Sequence, residues 1–264
     1  MDASGSVPPY YQGVWQRKYL ETAAATDSSS RVYWLQTSLF HADIRIPADR
    51  PVFSGKNTLQ DFSLDELKLL ARQQGFAGIT SVIGNCCLWA RQMDYQPPRG
   101  RHDIGFMQFN SERILETGVD GNYAEIWERL PDSQGPSFAF RFIETNTVLS
   151  SEKPQMGMLV ISGDYFIFAR SRANALPKTP SLAAMVSEAN LNLRQLIEAL
   201  DFEISFGRLT QGSIPWEIQL STLPFREGQA LFTKIDWAAL SQATREYVQH
   251  EQAWNGMLVR RWLA

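Results

Sequence analysis

Along most of the chain, apolar and polar residues alternate with period two, the pattern of strands with one buried face. Between residues 31 and 47 this alternation puts Tyr33, Leu35, Thr37, Leu39, His41, Asp43 and Arg45 on one face. Trp34, Gln36, Ser38, Phe40, Ala42, Ile44 and Ile46 take the other. The same spacing predicts strands over residues 88–96, 104–109, 123–129 and 137–144. Runs at 158–161 and 165–172 meet across Ser162-Gly163-Asp164, a hairpin turn because Gly and Asp tolerate positive φ. Residues 202–209 and 216–222 predict a further antiparallel pair. Helices are few. Ser63-Leu64-Asp65-Glu66 is a capping box that opens a helix running to about Gln74. Leu182, Met185, Val186, Ala189, Leu193, Leu196, Ile197 and Leu200 follow helical spacing and predict one long helix over 181–200. A third helix is expected over 238–250 and a last strand over 257–262.

Strands outnumber helices and turns are frequent, which favours a mainly β protein built of antiparallel sheet or barrel over a βαβ design. Turn-formers cluster at Pro131-Asp132-Ser133-Gln134-Gly135-Pro136, between two strand-like runs. That placement divides the chain into domains 1–133 and 134–264, each near the size of a small closed barrel.

Composition narrows the function more than it names one. The chain has 264 residues, 44% hydrophobic and 20% charged, which excludes a disordered or disulfide-stapled protein. Asp and Glu number 28 against 25 Lys and Arg, opposite to the balance of a phosphate-gripping surface, so no nucleic-acid partner is expected. The two cysteines, Cys86 and Cys87, are neighbours and imply no disulfide framework. No apolar run reaches the roughly 18 residues of a membrane helix, and the first residues do not read as a signal peptide. A soluble, cytoplasmic protein is expected.

Four groups of residues carry candidate chemistry. His41, Asp43 and Arg45 share a strand face; Arg45 offers a planar fork to a carboxylate, and His41 a general base oriented by Asp43. Trp89, Arg91, Met93 and Tyr95 share another face, with Asp94 opposite, and aromatics flanking an arginine suit a planar or anionic molecule. Tyr123, Glu125, Trp127 and Arg129 form a third set. Burial beside Trp127 would raise the pKa of Glu125 toward acid/base use, whereas pairing with Arg45 or Arg91 would keep it ionised as a structural ion pair. His102, after Pro97-Pro98-Arg99-Gly100-Arg101, belongs to a loop at a barrel rim. For each group the alternative role is core packing, a structural ion pair or a solvated loop. There is no phosphate-binding Gly-x-x-x-x-Gly-Lys-Ser/Thr loop, no Gly-x-Gly-x-x-Gly, no His-Glu-x-x-His and no Gly-x-Ser-x-Gly. With three histidines in all, neither a metal site nor a cofactor is expected.

The runs Val32-Tyr33-Trp34-Leu35, Ala42-Asp43-Ile44-Arg45-Ile46-Pro47, Tyr123-Ala124-Glu125-Ile126-Trp127-Glu128-Arg129-Leu130, Gly157-Met158-Leu159-Val160-Ile161-Ser162-Gly163 and Phe202-Glu203-Ile204-Ser205-Phe206-Gly207 occur in an order and spacing that resembles the Hri-type family of fungal proteins with bacterial relatives. The resemblance implies two consecutive lipocalin-like antiparallel β-barrel domains. Gly13-Val14-Trp15 also echoes the Gly-x-Trp entry of lipocalins. Barrels of this size can enclose one small ligand. The leading expectation is therefore cofactor-independent binding of a small polar or anionic organic molecule in the N-terminal barrel. Glu125, Asp94 or His41 would serve any acid/base step, such as an isomerisation, cyclisation or hydration in secondary metabolism. Arg45, Arg91, Asp43, Trp89, Tyr95, Trp127 and His102 would hold the ligand. The alternative is a non-catalytic adaptor with filled barrels, binding a partner protein through a patch around Trp254, Trp262 and the 181–200 helix.

Overall fold

The computed structural model describes residues 7–98, 100, 102–143, 156–188, 191–209 and 214–232. The helix expected over 238–250, the strand over 257–262, Arg99, Arg101, Trp254 and Trp262 lie outside the described residues.

Strands β1 (Gly13–Thr22), β2 (Thr26–Asp27), β3 (Arg31–Gln36), β4 (Phe40–Ile46), β5 (Gln74–Ile83), β6 (Cys86–Asp94), β7 (Asp103–Asn110), β8 (Arg113–Gly118) and β9 (Tyr123–Arg129) form one antiparallel sheet. β1 pairs with β3 through Gly13–Gln16 and with β9 through Trp15–Thr22, so eight strands close into an up-and-down barrel. The two-residue β2 extends β1 at one rim. Closure removes the exposed edges that an open sheet would present. The molecule is thus mainly β with a closed antiparallel barrel, as the patterning predicts.

The single strand expected over residues 31–47 is two strands. The Thr37 hydroxyl accepts the Phe40 amide at 3.0 Å, and the Thr37 amide donates to the Phe40 carbonyl at 2.9 Å, closing a tight turn. The turn resets the phase of alternation, so Trp34, and not Tyr33, shares the barrel interior with Asp43 and Arg45. Tyr33 points outward and stacks on Phe206 at 4.3 Å.

A second sheet follows, in the order β10 (Ser137–Ile143), β11 (Met156–Ser162), β12 (Tyr165–Arg170), β13 (Glu203–Arg208) and β14 (Glu217–Ser221). Its β11–β12 turn holds Gly163 at φ +54°, where a Cβ would sit 2.1 Å from the Asp132 carbonyl oxygen; the turn needs glycine for its conformation and for its close seat on the linker. Helix α1 (Leu64–Leu70) starts at the expected capping box, Ser63 accepting the Glu66 amide at 3.4 Å and Glu66 accepting the Ser63 amide at 2.7 Å. Ser63→Ala is expected to lower stability by about 1 kcal/mol in urea unfolding, the usual worth of an N-cap.

The long helix expected over 181–200 is instead two, α2 (Leu182–Glu188) and α3 (Leu193–Leu200). Asn192 adopts extended backbone, φ −71° and ψ 162°, and its side chain accepts the Gln195 amide, which begins a new helix at Leu193. A residue able to cap competes with helix continuation by offering the backbone another partner.

The second sheet lies on the outer wall made by β3 to β6. Leu35, Ile44, Ile46, Ala77 and Met93 of the barrel pack with Met158, Val160, Ile167, Ala169 and Ile204 in one apolar core. Buried polar contacts cross the same boundary. Arg172 donates to the Asp94 and Tyr95 carbonyls at 3.2 and 2.8 Å, and Arg50 to Gln73 and the Ser221 carbonyl at 2.9 and 2.6 Å. The Gln96 side-chain oxygen accepts the Leu182 amide at 2.9 Å.

Candidate functional site

The inward-facing residues of the barrel divide into two zones. One zone is filled by Trp15, Cys87, Met107 and Ile114, with Val7 and Tyr11 from the segment before β1; Trp15 Nε1 donates to the Tyr11 carbonyl at 2.7 Å. The other zone is a cavity of about 890 Å³. All eight barrel strands line it, through Arg17 of β1, Trp34 of β3, Asp43 and Arg45 of β4, Phe76 of β5, Trp89, Arg91 and Asp94 of β6, Asp103 of β7, Glu116 of β8, and Tyr123, Glu125 and Trp127 of β9. Alternation explains this set: once one residue of a strand faces in, its neighbours two positions away do as well.

Strand β6 is the exception, and it corrects the expected aromatic face. Its register with β5 runs Ala77 to Met93 and then Gly78 to Arg91, which leaves Gln92 as a bulge. Gly78 permits the bulge, since a Cβ there would lie 2.1 Å from the Ala90 carbonyl oxygen. The extra residue switches the phase. Trp89, Arg91 and Asp94 face the cavity, while Met93 and Tyr95 face the second sheet. Tyr95 therefore does not line the cavity; its hydroxyl donates to the Leu70 carbonyl at 2.9 Å and its ring meets Phe202 edge-on.

His41 also stands outside the cavity. It is fully buried beside the Phe76 ring, with Nδ1 3.0 Å from the Thr80 hydroxyl. Thr80 donates its own proton to the Gln36 side-chain oxygen at 2.7 Å, so Nδ1 carries the hydrogen and Nε2 is bare, with no partner among the described residues. Burial pulls the pKa of His41 down to about 3, helped by the nearby Arg91 charge. An imidazole so placed is a neutral core group with no path to a cavity proton. His102, in contrast, sits exposed on the cavity rim.

The cavity charges form connected chains. Asp27 pairs with Arg17 at 2.6 Å, Arg17 with Glu125 at 2.8 Å, and Glu125 approaches Arg45 at 3.6 Å. Arg45 grips Asp43 with two donors, at 2.8 and 3.2 Å. Burial pushes Asp43 up from the ordinary carboxylate range, and Arg45 opposes that push. Arg91 bridges Asp94 at 2.9 Å and Asp103 at 2.5 Å while its guanidinium lies 3.6 Å over the Phe76 ring centre. Arg45, Arg91 and Glu125, expected from different strands, are thus brought to one cavity with Asp43, Asp94, Trp89 and Trp127.

Glu116 is the group that sequence patterning misses. It stands directly opposite Glu125 in the β8–β9 register, buried, without an arginine ion pair among the described residues. Tyr123 Oη donates to one oxygen at 2.8 Å and Trp127 Nε1 to the other at 3.0 Å. Burial, reinforced by the Glu125 charge, pushes its pKa up to about 8. A signal is present: Ile114, Glu116 and Gly118 alternate, and the Asp120-Gly121 turn sets β8 against β9. Trp34, on the cavity wall, has an indole Nε1 with no partner among the described residues.

Fold and site together define a closed antiparallel β-barrel with an aromatic-walled, charge-lined cavity. Among solved structures the chain is similar to the uncharacterized protein YLR301w of Saccharomyces cerevisiae, at 14% identity and a TM-score of 0.45, covering 79% of this chain and 84% of that one. No family model and no curated protein matches. Among the described residues, no helix is long and apolar enough to cross a membrane.

Proposed function

We propose that the protein is a cytoplasmic, lipocalin-like small-molecule binder whose ligand, a polar organic molecule, occupies the barrel cavity. The observation that carries this reading is that the barrel is filled at one end only. A barrel serving purely as a scaffold closes its interior with apolar side chains, as the Trp15 end does. Keeping so many ionisable groups around an 890 Å³ space costs stability, because the attraction within buried ion pairs offsets their desolvation poorly. Binding sites combine this concavity with a few convergent polar groups. Within the cavity, Trp34, Phe76, Trp89 and Trp127 supply flat apolar walls. Should the bound molecule undergo proton transfer, Glu116 is the acid/base group suited to it, since its pKa of about 8 lies near neutrality.

Native mass spectrometry of freshly purified protein, with thermal-shift screening of small amines, carboxylates and aromatics, tests this reading. A co-purifying molecule, or a stabilisation of several degrees whose size changes in Arg91→Ala, is the expected result, because a ligand that binds only the folded state raises its stability. A protein that carries nothing and responds to no compound would instead favour the adaptor reading, and a search for a protein partner.

A further inference from the structure

We infer that the cavity takes an organic cation, a ligand with an ammonium or similar head on an aromatic or apolar body. This rests on the small-molecule reading above and names the ligand's charge, against the anion that the arginines alone suggest. Among the described residues, every arginine on the cavity wall is already engaged. Arg17 and Arg91 each bridge two carboxylates, Arg45 holds Asp43 with a second carboxylate near it, and Arg72 at the rim pairs with Asp49 at 2.7 Å. An anion entering here would have to break one of these pairs.

A cation would not. Seven acidic side chains line the cavity against four arginines among the described residues, a charge excess of three once Glu116 has given up its proton. Low-dielectric walls focus that excess toward the interior. The buried carboxyl without an arginine ion pair is Glu116, faced by Glu125 and Tyr123 from β9, with the charges of Asp103 and Arg45 also acting on it. It is the natural seat for a positive head. Trp127, Trp89 and Trp34 present ring faces or edges to the same cavity, the kind of surface that holds quaternary ammonium groups. Independently of the acidic excess, the unpartnered indole nitrogen of Trp34, 2% exposed, marks a hydrogen-bond donor on the wall that no described protein group accepts. Buried donors are rarely left so.

Three probes with one body and different heads test the charge: naphthylmethyl-trimethylammonium, naphthylmethanol and naphthylacetate, titrated calorimetrically into the full chain at pH 8.5. The first is a permanent cation, so the ligand itself does not titrate. The cation is expected to bind at least tenfold tighter than the carboxylate, and Glu116→Gln is expected to remove most of that preference while leaving naphthylmethanol binding within about threefold. Equal or tighter binding of naphthylacetate, or a cation preference untouched in Glu116→Gln, overturns the cation inference and leaves the small-molecule reading standing. If none of the three binds and native mass spectrometry finds no co-purified ligand, both fall. Folding of Glu116→Gln is checked by its melting temperature, and Glu116→Asp serves as a second variant that keeps a carboxyl at this position and should retain the cation preference.

Discussion

Arg45→Ala is expected to lower the unfolding free energy by about 3–5 kcal/mol, the range for removing one partner of a buried ion pair. In a chain of this size that is roughly 5–10 °C in melting temperature, read by calorimetry or circular dichroism. The loss is large because Asp43 is only 1% exposed and takes both of its arginine hydrogen bonds from Arg45. Without the guanidinium its charge is stranded in the wall, and Glu125 loses one of its two arginines. Asp43→Asn in the Arg45→Ala background should recover part of the loss, since the stranded group is then neutral. A double variant no more stable than Arg45→Ala would mean that the cost comes from packing of the guanidinium on Phe76 and Trp127. Arg45 is thus a poor residue with which to probe binding, whereas Arg91, whose partners Asp94 and Asp103 are both partly exposed, is a better one.

Glu116→Gln is expected to act in the opposite direction and to depend on pH. The folded protein holds the Glu116 proton up to about pH 8, while an unfolded chain releases it near the ordinary glutamate value of 4.5. Between those limits the folded state binds more protons than the unfolded one, so this group makes stability fall as pH rises from about 4.5 to 8. Glutamine keeps the shape, can still accept from Trp127 Nε1, and does not titrate. The variant should match the wild type below about pH 4.5 and exceed it by on the order of 3 kcal/mol above about pH 8. Each tenfold difference in proton affinity between the folded and unfolded chain is worth about 1.4 kcal/mol, and rearrangement of the neighbouring charges offsets part of the sum. Melting curves across about pH 4.5 to 9 measure it. A pH-independent difference would show that Glu116 is ionised throughout. A residue that weakens the fold yet favours a cation has the usual profile of a group kept for binding.

The strands are legible in the sequence wherever alternation runs unbroken, as it does over residues 104–109 and 123–129. Strand β5 is not legible: Gly75, Ala77 and Gly78 are small residues, and the glycines are there for the close approach of neighbouring backbone and side chains, not for amphipathicity. The Thr37 turn and the Gln92 bulge are invisible for a different reason. Each changes the phase of alternation by hydrogen bonds or pairing to a partner strand, and a single strand's pattern carries no record of its partner. The break between α2 and α3 is present in Asn192, whose capping tendency is masked by the helical spacing of the leucines around it. Of the site, Arg45, Arg91, Asp94, Glu125, Trp89 and Trp127 stand out because charge on a strand face next to tryptophan is conspicuous. Glu116 escapes because β8 is short and its alternation is weak. Tyr95 is misplaced because the Gln92 bulge breaks its strand. His41 shares the inward face of β4 with Asp43 and Arg45 but packs on Thr80 and Phe76, because periodicity gives a residue's face and not its depth in the barrel.

The bulge at Gln92 bears also on how this chain can vary over generations. One strand there serves two clients at once, the cavity through Arg91 and Asp94 and the interface with the second sheet through Met93 and Tyr95. Loss of a single codon at this position would bring the strand back into step with β5, with Arg91 still opposite Gly78, Met93 opposite Ala77 and Asp94 opposite Phe76, so each side chain would keep its side. Descendants of this chain are therefore free to change residue 92, or to lose it, while Arg91 and Asp94 keep the cavity and Met93 and Tyr95 keep the second sheet.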